Sequence, residues 1–290
     1  MFAKQNITLL IILFSGNVFF FHCISALREQ TAENEEELQQ LLDKAKPGDV
    51  IQLLEKDYFG DFYIENSGNH YHKIVLKGAP PADNIKNTRL IGNKTALEIR
   101  ANYWKFQNLN ITAAEEGVYI EGANNTLESF AIYEVNQAIT IQGDENTLGS
   151  ISIHDVGGAI LVKGSDNRIR DISINNSTSG VIVETGNRSR IHNIDLHNGL
   201  GVVLAFVLEE GTCCGRVTNT VFDGLVEIKG DQYNFRNTIA NAAINILGCR
   251  NEFGRSVFGR TFFTKECGNK LVTSNVFHFP QDKPTTLKTL

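Results

Sequence analysis

From Ala96 the chain repeats one arrangement of apolar and polar positions every 21 residues. Five consecutive segments show it: "ALEIRANYWKFQNLNITAAEE", "GVYIEGANNTLESFAIYEVNQ", "AITIQGDENTLGSISIHDVGG", "AILVKGSDNRIRDISINNSTS" and "GVIVETGNRSRIHNIDLHNGL". Apolar residues take the second and fourth places (Leu97/Ile99, Val118/Ile120, Ile139/Ile141, Ile160/Val162, Val181/Val183). They return at the eleventh, fourteenth and sixteenth (Phe106/Leu109/Ile111, Leu127/Phe130/Ile132, Leu148/Ile151/Ile153, Ile169/Ile172/Ile174). The fifth segment slips by one residue, to Ile191, Ile194 and Leu196, as a one-residue insertion in a turn produces.

Short alternating strands punctuated by Gly, Asn and Asp predict β-structure, and none of these segments can bury a core alone. Stacked as successive turns of one coil they share a continuous core and pair in parallel, about 4.8 Å apart. The pattern therefore predicts an all-β fold, a right-handed parallel β-helix with one segment per rung. Asn125, Asn146 and Asn167 fall at one corner of successive rungs. Asn tolerates the left-handed backbone of a sharp corner, and its amide can bond the rungs above and below. Downstream the period loosens to about 18–20, with "NFRNTIAN", "NEFGRSVFG" and "NKLVTSNVF" as corner-plus-strand echoes. In "EEELQQLLDKAKPG" the residues Leu38, Leu41, Leu42 and Ala45 follow helical spacing and Pro47-Gly48 ends the run, so a helix is expected to cap the open N-terminal end of the coil. One domain is expected over 27–280, followed by a polar tail over 281–290.

The N-terminus adds an address. Lys4, the apolar "ITLLIILFSGNVFFF" and the small residues of "HCISA" read as an export signal over 1–26, cleaved near Ser25 or Ala26. No other stretch is long and apolar enough to span a bilayer, so no membrane association is expected after cleavage. Cleavage leaves four cysteines (Cys213, Cys214, Cys249, Cys267), an even number that favours disulfides in an exported chain. Cys249 and Cys267 lie 18 residues apart where the period has that length, which places them on adjacent rungs and predicts a bridge. Cys213 and Cys214 are left as a vicinal bridge or two free thiols. Sequons at Asn93, Asn110, Asn124, Asn175, Asn176 and Asn187 fit glycosylation of an exported protein. The formal charge is −6 with no basic block along the chain, so neither nucleic acid nor an anionic membrane surface is an expected partner. The protein is expected to be a monomer.

A helix ending in "AKPGDVIQL", followed by "KIVLKGA", "LIGN" and "NYWKFQNLNIT", resembles the entry into the pectate-lyase-like β-helix superfamily, most closely its chondroitinase B and alginate lyase branch. The resemblance implies the fold over most of the chain and an extracellular polysaccharide as partner. In that branch a V-K-S-x-x-N stretch carries the catalytic lysine, which "VKGSDN" matches at Lys163. The branch's R-H-G-N stretch reads "ETGN" here, so Glu184 stands in the arginine place and Thr185 in the histidine place. Its two acidic calcium ligands fall on Val156 and Gly158. No metal or other cofactor is therefore expected.

With the second and fourth residues facing the core, the third and fifth face outward. The fifth places stack as Arg100, Glu121, Gln142, Lys163 and Glu184, with Tyr119 among the third places. Two readings follow. In one, this face is the substrate groove of a lyase on a uronic acid polymer, with Lys163 as the base and Arg188 or Arg100 neutralising the carboxylate, and Tyr119, Glu121, Gln142 and Glu184 touching substrate. In the other, the column is a charge-balanced ladder, since an amine flanked by carboxylates is a poor base. The protein is then a carbohydrate-binding, structural or effector protein that keeps the coil without the site. Weaker candidates are His154 with Asp155, His192 and His197 as acid/base groups, His70 and His72 as a metal pair, and Tyr103, Trp104 and Tyr133 as stacking platforms.

Overall fold

The computed structural model describes residues 28–79, 88–197, 204–263, 267–272 and 275–276. The expected leader over 1–26, the tail over 281–290 and the end of the coil lie outside the described residues. The described residues wind as a parallel β-solenoid of about 11 turns, about 21 residues each, with one helix among them, near the N-terminus. Each rung visits three sheets. The first holds, among others, Thr95–Ile99, Glu116–Ile120 and Gln137–Ile141. The second and third are the two halves of longer strands such as Trp104–Thr112 and Thr126–Tyr133.

The apolar places point inward as the pattern requires: Leu97, Ile99, Val118, Ile120, Ile139, Ile141, Ile160, Val162, Val181 and Val183 are all at most 1% exposed. Pairing is in register and parallel from rung to rung, Lys105 to Thr126 to Thr147 to Arg168 at 21-residue intervals. The interval becomes 22 to Arg190, 26 to Arg216, and 18 from there through Asn234, Glu252 and Lys270.

The corner asparagines are fully buried and bond as a ladder. Asn125 Oδ1 accepts from the Trp104 amide at 2.9 Å, Asn146 Oδ1 from the Asn125 amide at 2.9 Å, and Asn167 Oδ1 from the Asn146 amide at 2.8 Å. Their Nδ2 groups donate to the carbonyls of Ala101, Gly122 and Gly143. The left-handed backbone falls one residue earlier than expected, on Asn124, Glu145 and Asp166, with φ of 61°, 57° and 57°. The division of labour is physical: the residue that turns the chain points outward, and the next one sends its amide inward to satisfy buried backbone groups.

After Asn167 the ladder is interrupted. Its places are taken by Ser189, Gly215 and Tyr233, whose ring lies against Gly215 where a Cβ would stand. Tyr233 therefore occupies the place that "NFRNTIAN" suggested for Asn234, which sits one residue on and pairs with Arg216 and Glu252. The ladder resumes at Asn251 and Asn269, which accept from the amides of Tyr233 and Asn251 at 2.8 Å each.

The helix Glu35–Lys44 is capped by the Asn34 side chain and buries Leu38 and Leu42. It also closes the sheet edge: the Gln39 amide donates to Tyr63 O at 2.9 Å and accepts from Tyr63 N at 3.1 Å, pairing with the edge strand as a peptide group does. Late in the coil Cys249 and Cys267 form a disulfide between neighbouring rungs, Cα atoms 5.0 Å apart, and Cys213 and Cys214 form a vicinal one.

Three outcomes are expected. Asn146→Ala leaves the Asn125 amide and the Gly122 carbonyl without these partners and lowers stability by about 2–5 kcal/mol in urea denaturation. Val162→Asp, which buries an unpaired charge, abolishes the cooperative transition, whereas Lys163→Ala costs under about 1 kcal/mol. Peptide mapping without reduction recovers Cys249 linked to Cys267; free alkylation of both contradicts the pairing.

Candidate functional site

In-register stacking gathers Arg100, Tyr119, Glu121, Gln142, Lys163 and Glu184 on the outward face of the first sheet. Each fifth-place residue donates its amide to the rung before, Lys163 to Ile141 O at 2.7 Å and Glu184 to Val162 O at 2.9 Å, so the side chains form one column along the coil. The column neutralises itself. Lys163 Nζ stands 3.3 Å from Glu184 Oε2. Arg100 holds Glu98 at 2.6 Å and lies 3.8 Å from Glu121 and 3.9 Å from Glu65. Further along, Lys229 pairs with Glu209 at 3.0 Å and Glu227 at 3.4 Å.

Arg188 does not join this face. It is the left-handed residue (φ 58°) at the corner leading into the second sheet. There its guanidinium makes a two-pronged bond to Asp166, at 2.8 and 2.5 Å. That pairing holds the Asp166 carboxyl below the usual carboxylate range. The structure thus separates Lys163 from Arg188, one of the two arginines that the lyase reading offered; the other, Arg100, shares its face but stands three rungs back and is bonded to Glu98.

Glu116, which the pattern did not single out, also stands on this face with a perturbed carboxyl. Half-burial pushes its carboxyl above the usual range, against a hydrogen bond from Thr140, and the Glu98 charge adds to the effect. In the sequence Glu116 stands in "EEGVYI", two residues ahead of Val118, the strand's first inward apolar residue. Burial, and then Glu121, Glu116 and Glu98, likewise push the Tyr119 hydroxyl up. With Glu65, Glu98, Glu116, Glu121, Glu184, Glu209 and Glu227 against Arg100, Lys163 and Lys229, the face is acidic and repels a polymer of carboxylates.

The calcium places do not fit the ion. Val156 is buried and has no ligand oxygen on its side chain, and the Gln137 side chain fills the space over Gly158. Among the described residues no three His, Cys, Asp or Glu converge as a metal site requires. His154 Nδ1 meets Asp155 Oδ2 at 2.9 Å and its ring stacks on Tyr133, on the third sheet and away from Lys163. Trp104 is fully buried, its Nε1 donating to Asn66 O, and so belongs to the core. His70 and His72 stand exposed on a loop.

Because the folded state of Glu116 holds its proton more tightly than the unfolded chain, its ionisation weakens the fold as pH rises through its raised value. Glu116→Gln is therefore expected to raise the melting temperature at neutral pH, with the gain vanishing below the ordinary carboxylate range. A gain that persists at low pH contradicts this origin.

No protein-family model and no curated protein matches the chain by sequence. Solved structures do match by shape. The alginate lyase from Paenibacillus sp. str. FPU-7 aligns with a TM-score of 0.63 at 18% identity, over 86% of this chain and 95% of that one. The PL6 family alginate lyase AlyGC gives 0.60 at 15%, over 88% of this chain but only 41% of its own length. Pectate lyase Pel9A gives 0.56 at 14%, over 81% and 72%. At these identities the likeness speaks for architecture alone: with the rung period, the corner asparagines and the capping helix, it shows that the chain carries a parallel β-helix fold like that of these lyases.

Proposed function

We propose that this is a secreted protein that binds an extracellular acidic polysaccharide and does not cleave it by calcium-assisted elimination. The observation that carries the second half is the Lys163–Glu184 pair at 3.3 Å, set in a column that balances its own charge. Elimination from a uronic acid needs a free base and a positive group to hold the enolate-like intermediate. Here the amine faces a carboxylate, the arginine place is that carboxylate, and Arg188 is committed to Asp166. The first half draws on the fold, whose neighbours are named as alginate and pectate lyases. It also draws on the leader, the sequons and the two disulfides, which suit an oxidising extracellular setting.

The test is retention on immobilised alginate or pectate, alongside ultraviolet absorbance of newly formed unsaturated uronate ends in solution. Retention is expected on the acidic polymers and not on a neutral glucan, with flat absorbance with or without calcium. A steady rise in absorbance that disappears in Lys163→Ala restores the lyase reading. Failure to bind any acidic polymer overturns the proposal.

A further inference from the structure

The second sheet carries a column of the opposite kind. Strands Thr147–Val162, Arg168–Val183, Arg190–His197 and Arg216–Phe222 pair so that Thr147, Arg168, Arg190 and Arg216 stand directly opposite one another on successive rungs. The pairing is fixed by the backbone: Arg168 N donates to Asn146 O at 2.8 Å, Arg190 N to Asn167 O at 2.8 Å, and Arg216 N to Ser189 O at 3.0 Å. All three arginines are exposed. None of them stands within 4.0 Å of a carboxylate of the described residues: Asp166, the acid beside them, is bonded to Arg188 and feels Arg168 and Arg190 only at longer range. In the neighbouring outward column Arg170 is matched with Glu128 and Asp171, and further along Arg236 reaches across to Glu252, which stands two rungs beyond Arg216 in the arginine column itself.

Like charges directly opposite on adjacent strands destabilise a sheet. Three in succession, about 4.8 Å apart, bring the fold no internal gain. The first-sheet column shows how this same coil treats charge when only the fold is served, with carboxylates set beside Arg100, Lys163 and Lys229. The unmatched row leads out of a cleft of about 290 Å³ lined by Asn124, Glu145, Asp166, Arg168, Arg188 and Arg190.

We infer that the Arg168–Arg190–Arg216 row is the polysaccharide-binding surface, taking a linear polymer that bears one carboxylate or sulfate per sugar and lies along the coil axis. Each planar guanidinium offers a forked pair of donors to one acidic group, and equally spaced rungs present them at a regular repeat. The row is one residue wide and bordered by Glu145 and Asp166, on a chain of net charge −6, so it suits a single line of anionic groups better than the broad field of a nucleic acid duplex. This inference rests on the proposed function and moves its ligand from the first sheet, where the lyase reading put it, to the second.

The test measures affinity for soluble alginate and for a sulfated glycan, by titration at several salt concentrations, in the full chain and in Arg168→Ala, Arg190→Ala, Arg216→Ala, Arg190→Lys and Lys229→Ala. Circular dichroism confirms that each variant folds. Each Arg→Ala change is expected to weaken binding about tenfold and to flatten the salt dependence by about one released counterion. Arg190→Lys should keep part of the affinity and Lys229→Ala all of it. If the unaltered chain binds but the arginine variants bind equally well, the row is not the site, although the protein still binds the polymer. If the unaltered chain binds neither polymer, the proposed function fails and this inference with it. Equal or tighter arginine-dependent binding of duplex DNA overturns the polysaccharide assignment in favour of nucleic acid.

Discussion

Each rung of this protein can satisfy its backbone only through the rungs above and below it. Amides at Glu121, Gln142, Lys163, Glu184 and Glu209 donate to carbonyls one rung back, at 2.7–2.9 Å, and every other column along the coil is tied to the same pairing. Since the pairing is parallel and in register, residues of one column share one environment: the same depth, the same face and the same neighbours. Like then stacks on like where that helps the interior. Asparagines form a bonded file, and Phe235 stacks on Phe253, its partner on the next rung, at 4.8 Å. Where an asparagine is missing from the file, the aromatic ring of Tyr233 fills the space of two rungs.

The same constraint makes surface charge informative. A column on a solenoid forces its members into neighbourhood, so alternation of sign is the arrangement that costs least. The first sheet follows that rule around Lys163 and the second sheet breaks it at Arg168, Arg190 and Arg216. A self-neutralised lysine is consistent with a structural ladder, and an unneutralised arginine row is consistent with an external anion. The two faces of one coil therefore separate the role suggested by the motif from the role suggested by the charge.

The places where the sequence resemblance implied lyase groups hold other side chains in the coil. Gly158 lies under the Gln137 side chain, Val156 is buried, and Glu184 puts a carboxylate where the branch has its arginine.

How much of this was legible beforehand follows from what a period can encode. Alternation and spacing determine which side chains face inward, so the coil, its core, the capping helix over Glu35–Lys44, the outward column through Lys163 and the Cys249–Cys267 pairing could all be read from the residues. The corner chemistry was read only in part, because a period does not say which of two adjacent polar residues turns the chain and which one points in. The perturbed Glu116 was missed because burial depends on what lies across the face from it. The arginine row was invisible for a further reason. Its members stand 22 and 26 residues apart, outside the 21-residue period, while the hydrogen-bonded register keeps them opposite one another. Sequence by itself determined the fold and its faces through local alternation. Only the tertiary structure, by fixing the hydrogen-bonded register across unequal rungs, decided which charges meet.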